Sequence, residues 1–374
     1  MKTNTSKPKP LSIYIHIPFC ERKCAYCDFV SFDNKTDSID AYVDVLCNEV
    51  DAFYRENANT EPANTVFVGG GTPSLLSTVQ LTEIFSRLKI KPNAEITIEC
   101  NPNSIIREKL LHYQTLGINR LSIGVQSFND ETLKTLGRIH TSKQAIEAIE
   151  LAHLIGFKNI NIDLIHSVPL QRSTPVLIPQ AVFGLVTHVS AYSLIIEPNT
   201  PFAKKHKPVD DNTSIIEQKQ IEKLLKTNDF AKYEVSNFAK PGYQCRHNNA
   251  YWQPHIHEYI GFGLGAHGLV NNQRYSNTKN LSEYLNKKNK KQKSNQRNNK
   301  DLIDEIIMLG LRTTRGIKFN DLQTLGYDLL TKKHNEIQML INNKLIKIGK
   351  DNLVVTDKGF FVLNQIINKL TPDN

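Results

Sequence analysis

Three cysteines stand close together in a short polar stretch near the start of the sequence. Cys20, Cys24 and Cys27 follow a C-x3-C-x2-C spacing within PFCERKCAYCDF. A disulfide would leave one of them unpaired, and a tetrahedral zinc site needs a fourth ligand that the loop does not supply. An iron–sulfur cubane usually takes four cysteines, so three would leave one iron open to a small molecule. Cysteines that only pack in a core are the alternative, but the interleaved charged residues favour a cluster with one open iron.

A run of glycines follows a predicted strand and could hold a charged head group. The strand, residues 65–68, leads directly into Gly69-Gly70-Gly71-Thr72-Pro73, and a predicted helix comes next. Glycines leave backbone N–H and C=O groups open to a ligand because no side chain stands in front of them. A tight turn without a ligand is the alternative for such a run. Its place between a strand and a helix favours a binding role.

Two carboxylates and two further polar residues stand at or beyond the ends of other predicted strands. Glu99 ends a strand in IEC-NP and Asp163 ends another in INIDL, while Gln126 and Arg138 lie in SIGVQSF and LGRIH. A carboxylate at the end of an apolar strand is costly to bury unless a donor meets it. Capping of the next helix is the alternative for either carboxylate. Together the four side chains could bind hydroxyl and carboxylate groups through charge-assisted hydrogen bonds.

The elements that must position these groups alternate between strand and helix. Six strands are predicted, at residues 11–17, 65–68, 95–99, 120–124, 159–164 and 188–195. Helices are predicted between them, at residues 40–54, 78–88, 104–113, 131–136, 143–154 and 179–185. Such alternation indicates a parallel sheet with helices outside it, and six units are too few to close an eight-stranded barrel. The sequence therefore predicts an α/β fold, an open partial (β/α)6 TIM-type barrel, with the polar groups at the carboxyl ends of its strands.

The pattern changes after about residue 198. A helix at 212–225 and a short strand at 233–238 are predicted, and an irregular stretch at 245–257 precedes a glycine-dense turn at 261–267. Helices at 302–311, 329–341 and 359–370, with strands at 345–348 and 353–355, indicate a small winged-helix-like module. The predicted domains are a barrel core at 1–240, a segment closing the site at 241–286, a basic linker at 287–300 and this C-terminal α+β module at 301–374.

Composition limits the classes of protein that the sequence can encode. The chain has 374 residues, a net charge of +9 and no apolar run long enough for a membrane helix. Its basic start lacks the apolar region of a signal peptide, and its six cysteines, three of them clustered, indicate metal binding rather than disulfides. We therefore expect a cytosolic protein without a membrane span, for which peripheral membrane association stays open.

Much of the positive charge lies in KKNKKQKSNQRNNK at residues 287–300. This stretch has no apolar residue to bury and no aromatic residue for base stacking. It predicts a solvated, mobile linker rather than a nucleic-acid site. A basic surface could equally attract an anion such as a porphyrin carboxylate.

A second dense group of reactive side chains lies in CRHNNAYW at residues 245–252, which contains the only tryptophan. A single histidine is more often structural than a ligand. Beside a cysteine, a tyrosine and a tryptophan, His247 predicts a haem or substrate pocket, with Cys245 and Tyr251 as further candidates. Cys47 and Cys100 stand in helix-like and strand-like contexts, so we interpret them as core residues.

The cysteine spacing and its surroundings resemble the radical S-adenosylmethionine (radical SAM) superfamily. In that superfamily the amine and carboxylate of SAM chelate the open iron, and an electron from the cluster breaks a C–S bond of SAM. Nearly the whole chain is similar to the oxygen-independent coproporphyrinogen oxidase family. Within that family, the chain resembles the HemW-type branch, whose members are regarded as haem chaperones. Six segments carry this likeness: IHIPFCERKCAYCDF, FVGGGTPSLL, LSIGVQSFND, SAYSLIIEPNTP, YEVSNFAKPGY and HNNAYW.

Two features separate the sequence from the true dehydrogenase of that family. The enzyme has a fourth cysteine two residues after the third, where this chain has Phe29, and a longer N-terminal arm, where only 19 residues precede Cys20. HNNAYW, in contrast, matches the H-N-x-x-Y-W motif of the chaperone branch. One segment departs from that branch, because its usual I-Y-G-L-P-G-Q is IHSVPLQ at residues 165–171. The loss of both glycines affects the expected shape of this loop, whereas Asp163 is retained.

The resemblance implies a role for each matching residue. The three cysteines would hold a [4Fe–4S] cluster. The residues that would bind SAM are, in chain order, Tyr14, Tyr26, Gly70, Gly71, Thr72, Glu99, Gln126, Arg138, Asp163 and Ile195. Arg138 would pair with the carboxylate of SAM, and Gln126 and Asp163 would take its ribose. The backbone of Ile195, and that of His267, would flank the adenine.

The leading hypothesis from these features is a haem chaperone that binds haem and passes it to acceptor proteins such as respiratory enzymes, with an electron donor for its cluster. Haem transfer is implied by the resemblance and not by the residues themselves. The alternative is an enzyme, an oxygen-independent coproporphyrinogen III oxidase that converts two propionates to vinyl groups through a 5′-deoxyadenosyl radical. A third hypothesis, RNA modification, depends only on the net charge and the C-terminal module.

Overall fold

One large sheet dominates the computed structural model, which describes residues 9–169, 177–286 and 291–372. The strands are β1 (Leu11–Ile17), β2 (Ala63–Gly70), β3 (Ile90–Cys100), β4 (Arg120–Gln126), β5 (Asn159–His166), β6 (His188–Ser193), β7 (Ala231–Lys232), β8 (Asn237–Ala239), β9 (Glu258–Phe262), β10 (His267–Val270), β11 (Gln273–Ser276), β12 (Gln292–Gln296), β13 (Ile317–Lys318), β14 (Ile346–Ile348) and β15 (Asn352–Val355). The large sheet has the order β12-β11-β10-β9-β1-β2-β3-β4-β5-β6-β8-β7, and β13-β15-β14 form a second sheet.

The first six strands run parallel and lie side by side in chain order. This confirms the predicted α/β fold with an open, partial (β/α)6 barrel. Alternate residues of each strand face opposite sides of the sheet. On β1, Ile13, Ile15 and Ile17 are fully buried in the main apolar core, whereas Tyr14 between them lines a cavity inside the barrel. The apolar core therefore lies between the sheet and its helices, and the barrel interior carries the polar groups.

Helices cover the outer face of the barrel and build the C-terminal module. They are α1 (Ile39–Glu56), α2 (Thr78–Phe85), α3 (Arg107–Thr115), α4 (Asp130–Leu136), α5 (Ser142–Ile155), α6 (Gln180–Leu185), α7 (Asp211–Thr227), α8 (Arg246–Tyr251), α9 (Leu281–Leu285), α10 (Asn299–Gly310), α11 (Phe319–Gln323), α12 (Leu329–Lys332), α13 (His334–Asn342), α14 (Asp357–Phe360) and α15 (Leu363–Leu370). Local signals set several of these bounds: α5 begins at a capping box of Thr141 and Gln144 and ends at Gly156 in the left-handed region. None of the helices in the described ranges is both long enough and apolar enough to cross a membrane.

The sheet continues beyond the barrel at both edges, which the sequence did not predict. β9 pairs parallel with β1, and β10 and β11 follow it as antiparallel neighbours. At the other edge, β8 pairs antiparallel with β6. The predicted strand at 233–238 is wrong, because β7 and β8 flank most of that range instead. The predicted irregular stretch at 245–257 is also wrong in its first half, where α8 forms.

The prediction of a mobile linker at 287–300 is wrong over its second half. β12 pairs with β11 at the edge of the large sheet, and α10 begins at Asn299. All five residues of β12 are exposed, so they are held by backbone pairing while their polar side chains remain in solvent. Residues 287–290 lie outside the described residues, as do the last two residues of IHSVPLQ.

The C-terminal module has an apolar core of its own, formed by residues of α10 to α15 and of the small sheet. Helices followed by a strand-turn-strand and further helices give the predicted winged-helix-like arrangement. The module meets the barrel domain through main-chain contacts: Val235 N–H donates to the Arg312 carbonyl at 2.9 Å, and Thr314 N–H donates to the Tyr233 carbonyl at 3.0 Å. Arg315 also donates to the side chain of Gln253.

We expect β9 to tolerate no side chain at Gly261, where the strand packs against the first residue of β10. A Cβ atom there would lie 2.2 Å from the carbonyl oxygen of His267, whereas a Cβ atom at Gly184 in α6 would meet nothing within 4 Å. Gly261→Ala should lower the free energy of unfolding by about 2–3 kcal/mol. Gly184→Ala, the matched control, should raise it by up to about 1 kcal/mol because alanine favours helix. Denaturant unfolding of the two variants and the parent measures both changes, and equal effects would contradict the packing described here.

Candidate functional site

The cysteine loop leaves the carboxyl end of β1 and is closed at its base by the main chain. Cys20 N–H donates to the Phe32 carbonyl at 2.9 Å, and Phe32 N–H donates to the Pro18 carbonyl at 2.8 Å. Within the loop, the ammonium of Lys23 donates to the carbonyls of Phe29 and Ser31, each at 3.0 Å. These bonds turn the loop back on itself.

The three thiols of this loop are free and face a common region. Cys20 is buried, and Cys24 and Cys27 are half-buried. Ser31 lies within hydrogen-bonding reach of both Cys20 and Cys27. Among the described residues no three such ligands surround a point closely enough for a single metal ion, but each thiolate of a cubane binds a different iron. Phe29, at the position of the enzyme's fourth cysteine, is 69% exposed.

Arg138 connects the cysteine loop to the strands beside it. Its Nη1 donates to Cys24 Sγ at 3.2 Å, and its Nη2 donates to Asn101 Oδ1 at 2.8 Å and to the Gly124 carbonyl at 2.9 Å. The guanidinium therefore contacts one of the three thiols of the cysteine loop directly. Its Nε is buried and has no hydrogen-bond partner within the described chain. Sequence reasoning missed Asn101, although its place directly after a strand-ending Glu-Cys pair was a usable signal.

The glycine turn is joined to the end of β1, which brings it against the first cysteine. Gly71 N–H donates to the Ile17 carbonyl at 2.8 Å, and Thr72 N–H donates to the Phe19 carbonyl at 2.7 Å. A Cβ atom at Gly71 would lie 2.6 Å from the Phe19 carbonyl oxygen and 2.9 Å from Cys20 Sγ. Only glycine therefore fits this position. Gly70 has a φ of +119°, a backbone conformation that also favours glycine.

Glu99 lies at the end of β3 and faces the glycine turn. Its Oε2 accepts the Gly70 N–H at 3.0 Å. Burial, followed by the nearby Asp163 carboxylate, raises the pKa of Glu99 to about 8, against the hydrogen bond from Gly70 and the charge of Arg120. A carboxyl group in this environment can bind a cationic ligand, because the positive charge of the ligand would stabilise the ionised form of the carboxyl group.

Asp163 lies two strands away and is surrounded by polar side chains of neighbouring strands. Asn161 Nδ2 donates to Asp163 Oδ1 at 2.8 Å, and Ser122 Oγ donates to its Oδ2 at 3.4 Å. Burial raises its pKa, and hydrogen bonds from Asn161 and Ser190 act in the opposite direction. Asp163 stays in register beside Ser190 of β6, so the unusual loop that follows it has not displaced it.

That loop compensates locally for the glycine it lacks. Ser167 replaces the first glycine and has a φ of +60°, in the left-handed region. Its N–H donates to Glu217 Oε2 at 2.6 Å, and its hydroxyl pairs with the Ser214 hydroxyl at 2.8 Å, both on α7. The serine therefore keeps the glycine-type backbone at this position and is held there by two side chains.

The remaining predicted SAM residues differ in how the structure presents them. Tyr14 points into the barrel and stacks with Phe67 at 6.3 Å between ring centroids. Tyr26 lies within hydrogen-bonding reach of Arg138. Gln126 ends β4 with a φ of +66°, at the same edge. Ile195 lies beyond the end of β6 and is 72% exposed, so its side chain is not brought together with the others.

A polar cavity of about 210 Å³ extends from these groups into the barrel. Side chains from all six parallel strands and from α8 line it: Tyr14, Phe67, Glu99, Arg120, Ser122, Asn161, Asp163, Ser190, Tyr192, His247, Asn248 and Tyr251. The HNNAYW segment thus contributes a wall of the barrel interior.

The residues of α8 are held inside the barrel by hydrogen bonds. His247 Nδ1 pairs with Thr65 Oγ1 at 2.8 Å, and its Nε2 pairs with the Tyr251 hydroxyl at 2.9 Å. The Glu95 carboxylate accepts the N–H groups of Arg246 and His247, each at 3.0 Å. The Cys245 thiol donates to the same carboxylate at 3.5 Å. Glu95 was not found from the sequence, since nothing local marks it as the partner of a helix 150 residues away.

This geometry does not support the prediction that His247, Cys245 and Tyr251 are haem ligands. His247 and Cys245 are fully buried, and both ring nitrogens of His247 are in hydrogen bonds. Burial, and then the charge of Arg120, lowers the pKa of His247 to about 3, so the ring stays neutral. An iron could reach Nε2 only after the bond to Tyr251 breaks. The three residues have a structural role as the structure presents them.

Related proteins match the chain over nearly its whole length. It is 35% identical to the heme chaperone HemW of Lactococcus lactis over 98% of both chains, and 32% identical to that of Bacillus subtilis over 95% of this chain and 97% of the relative. The heme chaperone HemW of Escherichia coli is 43% identical over 71% of each chain. The chain belongs to the HemW family. Within this HemW-family chain, the radical SAM superfamily model matches residues 14–172 and the HemN C-terminal domain model matches residues 298–362.

The HemW-family chain also has the fold of a solved radical SAM enzyme. Coproporphyrinogen III oxidase (HemN) from Escherichia coli superposes with a TM-score of 0.84, covering 97% of this chain and 90% of that one at 22% sequence identity. At that identity the likeness shows the fold alone. It agrees with the barrel and the C-terminal module described above.

The raised pKa of Glu99 gives the HemW-family chain a distinct dependence of stability on pH. In the folded protein Glu99 keeps its proton up to about pH 8, whereas in the unfolded chain it ionises near its ordinary value of 4.5. The unfolded state then binds fewer protons, so the free energy of unfolding falls as the pH rises towards 8. Buried histidines act in the opposite direction only below their ordinary value of 6.5. We therefore expect a fall between pH 6.5 and 8.

Glu99→Gln should make that fall shallower, and denaturant unfolding at several pH values in the absence of SAM measures it. Asp163 retains its own contribution in this variant. Glu83→Gln, a change on the exposed surface of α2, is the control and should leave the slope as in the parent. Equal slopes for parent and Glu99→Gln would show that Glu99 is ionised in the folded protein.

Glu95 should be among the most sensitive positions for the stability of the HemW-family chain. Glu95→Ala removes the acceptor of two N–H groups of α8 and leaves the buried charge of Arg120 with one carboxylate fewer beside it. We expect a loss of about 3–5 kcal/mol in the free energy of unfolding. Glu147→Ala on the exposed face of α5 should cost less than about 1 kcal/mol. Similar small losses for both variants would exclude Glu95 as the residue that holds α8.

Proposed function

We propose that the protein is a haem chaperone that binds haem in the cytosol and passes it to acceptor proteins, for which respiratory enzymes are candidates. The observation that carries the proposal is similarity at 30–43% identity, over 71–98% of the chain, to proteins named heme chaperone HemW. Phe29 in place of a fourth cysteine and the HNNAYW segment support the same branch. An electron donor for the cluster completes the proposed set of partners.

The residues at the barrel mouth fit a [4Fe–4S] cluster and SAM. Three free thiols, an arginine beside one of them and a glycine that nearly touches Cys20 Sγ form a cradle for the cluster. Cys20, Cys24 and Cys27 would hold it. The glycine turn and Glu99 would take the ammonium of SAM, Arg138 its carboxylate, and Gln126 with Asp163 its ribose. When bound, the cluster and SAM together supply one-electron chemistry. The buried Nε of Arg138, which has no hydrogen-bond partner within the described residues, is available as a further donor.

Anaerobic reconstitution of the cluster followed by haem titration tests the proposal. We expect saturable haem uptake, followed by absorbance, and transfer of the haem to an apo-acceptor in a second step. The same sample is then incubated with coproporphyrinogen III, SAM and a reductant. Haem uptake without vinyl product is the expected result.

A matched pair of variants separates cluster effects from damage to the fold. Cys24→Ala should abolish cluster absorbance, whereas Cys100→Ala, in the apolar core behind β3, should retain it. Formation of protoporphyrinogen by the parent would replace the chaperone proposal with the oxidase alternative. Absence of haem uptake under both oxidising and reducing conditions would exclude a chaperone.

A further inference from the structure

We propose that His206 is the ligand of the haem iron and that Lys204, Lys205 and Lys207 hold the haem propionates. This inference rests on the proposed function, because it locates the haem that a chaperone would carry. It moves the haem from the barrel interior to the segment that crosses the barrel mouth after β6.

A histidine that binds haem iron must offer a neutral ring nitrogen to a large planar ligand. His247 has no such nitrogen free, and His16, His140 and His166 near the mouth are buried. Two histidines at the carboxyl edge of the barrel are accessible, His206 after β6 and His267 after β9. The choice therefore lies between these two.

His206 is held on a rigid base and its ring nitrogens are available. Its ring stacks on Phe202, with 4.2 Å between centroids and 27° between planes. Phe202 is buried with Leu136, Ile165 and Val168, and its N–H donates to the Ala25 carbonyl in the cysteine loop at 3.0 Å. Within the described residues neither ring nitrogen of His206 is in a hydrogen bond. The stacking fixes the plane of the imidazole and leaves its nitrogens for iron.

The lysines beside His206 supply the charge that the propionates need. Lys204, Lys205 and Lys207 are exposed, and none of them forms an ion pair with another residue of the described chain. Three ammonium groups within four positions of sequence make a local positive patch that is not compensated. Haem carries two carboxylates, so its charge complements this patch. His267 has no comparable group of neighbouring lysines in sequence.

Apolar side chains for the porphyrin face are exposed along the same edge. Ile195 is 72% exposed, while Leu194 and Ile196 on either side of it pack against the cluster of Phe202. Phe29, in the cysteine loop, is 69% exposed. Large apolar side chains left in water near a functional site are typical of a ligand or partner surface. A ligand with an iron centre, an apolar ring and two carboxylates matches the combination.

Haem titration of the reconstituted parent, His206→Ala and His267→Ala tests the assignment. Loss of an outer-shell partner of a metal site already costs about 10–100-fold in affinity, so loss of the ligand itself should weaken haem binding at least about tenfold. The absorbance and electron paramagnetic resonance signals of imidazole-bound iron should disappear in His206→Ala and persist in His267→Ala. Added imidazole should restore them in His206→Gly. Thermal unfolding of the variants should match the parent, since His206 is only half-buried.

Replacement of all three lysines by alanine provides an independent measurement. We expect weaker haem binding and a shallower dependence of affinity on salt, while the imidazole–iron signals remain. If the parent takes up haem, two results would overturn this inference and leave the proposed function intact. One is unchanged haem binding in His206→Ala, and the other is loss of haem binding in His267→Ala alone. A parent that takes up no haem would instead overturn the proposed function.

Discussion

The buried charge of Arg120 is the constraint on which the closed end of the barrel, the end covered by α8, depends. Arg120 is 1% exposed at the first position of β4, and the carboxylates of Glu95 and Asp163 act on its charge. A buried cation is tolerated only when anions and acceptors surround it. Glu95 meets that need and at the same time accepts two N–H groups at the start of α8. One carboxylate thus offsets part of the buried positive charge and fixes the start of α8, from which His247, Asn248 and Tyr251 line the barrel interior.

The open end of the barrel also holds polar groups that are only partly satisfied. Glu99 holds its proton to about pH 8 since burial and Asp163 both oppose its ionisation, and Arg138 retains a buried Nε without a partner in the described chain. A ligand with an ammonium and a carboxylate would supply the charges that are missing. Binding free energy is therefore available at the mouth, and the carboxyl ends of the strands are where ligands bind in other parallel barrels.

How far the sequence predicts this structure depends on whether the signal is local. The observed bounds of β1 follow from the strict alternation of its apolar and polar residues. The site at the strand ends follows from the alternation of strands and helices, because the carboxyl ends of parallel strands meet at one edge. The helix α8 could not be predicted, since its polar residues are buried in a polar interior and its partner Glu95 is distant in sequence. β12 was missed because its composition indicates solvation, and its side chains are indeed exposed while only its backbone pairs. Arg120 and Asn101 act through neighbours that no sequence period reveals.

The loop after β5 shows how the site tolerates a departure from the family pattern. A left-handed backbone at a residue other than glycine costs about 1–3 kcal/mol. At Ser167 two hydrogen bonds, from its N–H to Glu217 and between its hydroxyl and Ser214, offset that cost, since each net hydrogen bond stabilises by about 0.5–1.5 kcal/mol. Ser167 is thus held in a left-handed conformation of the kind that favours glycine, and Asp163 remains paired in register with Ser190. A serine held by α7 therefore adopts a backbone conformation that favours glycine, without disturbing the carboxylate of Asp163 that lines the cavity.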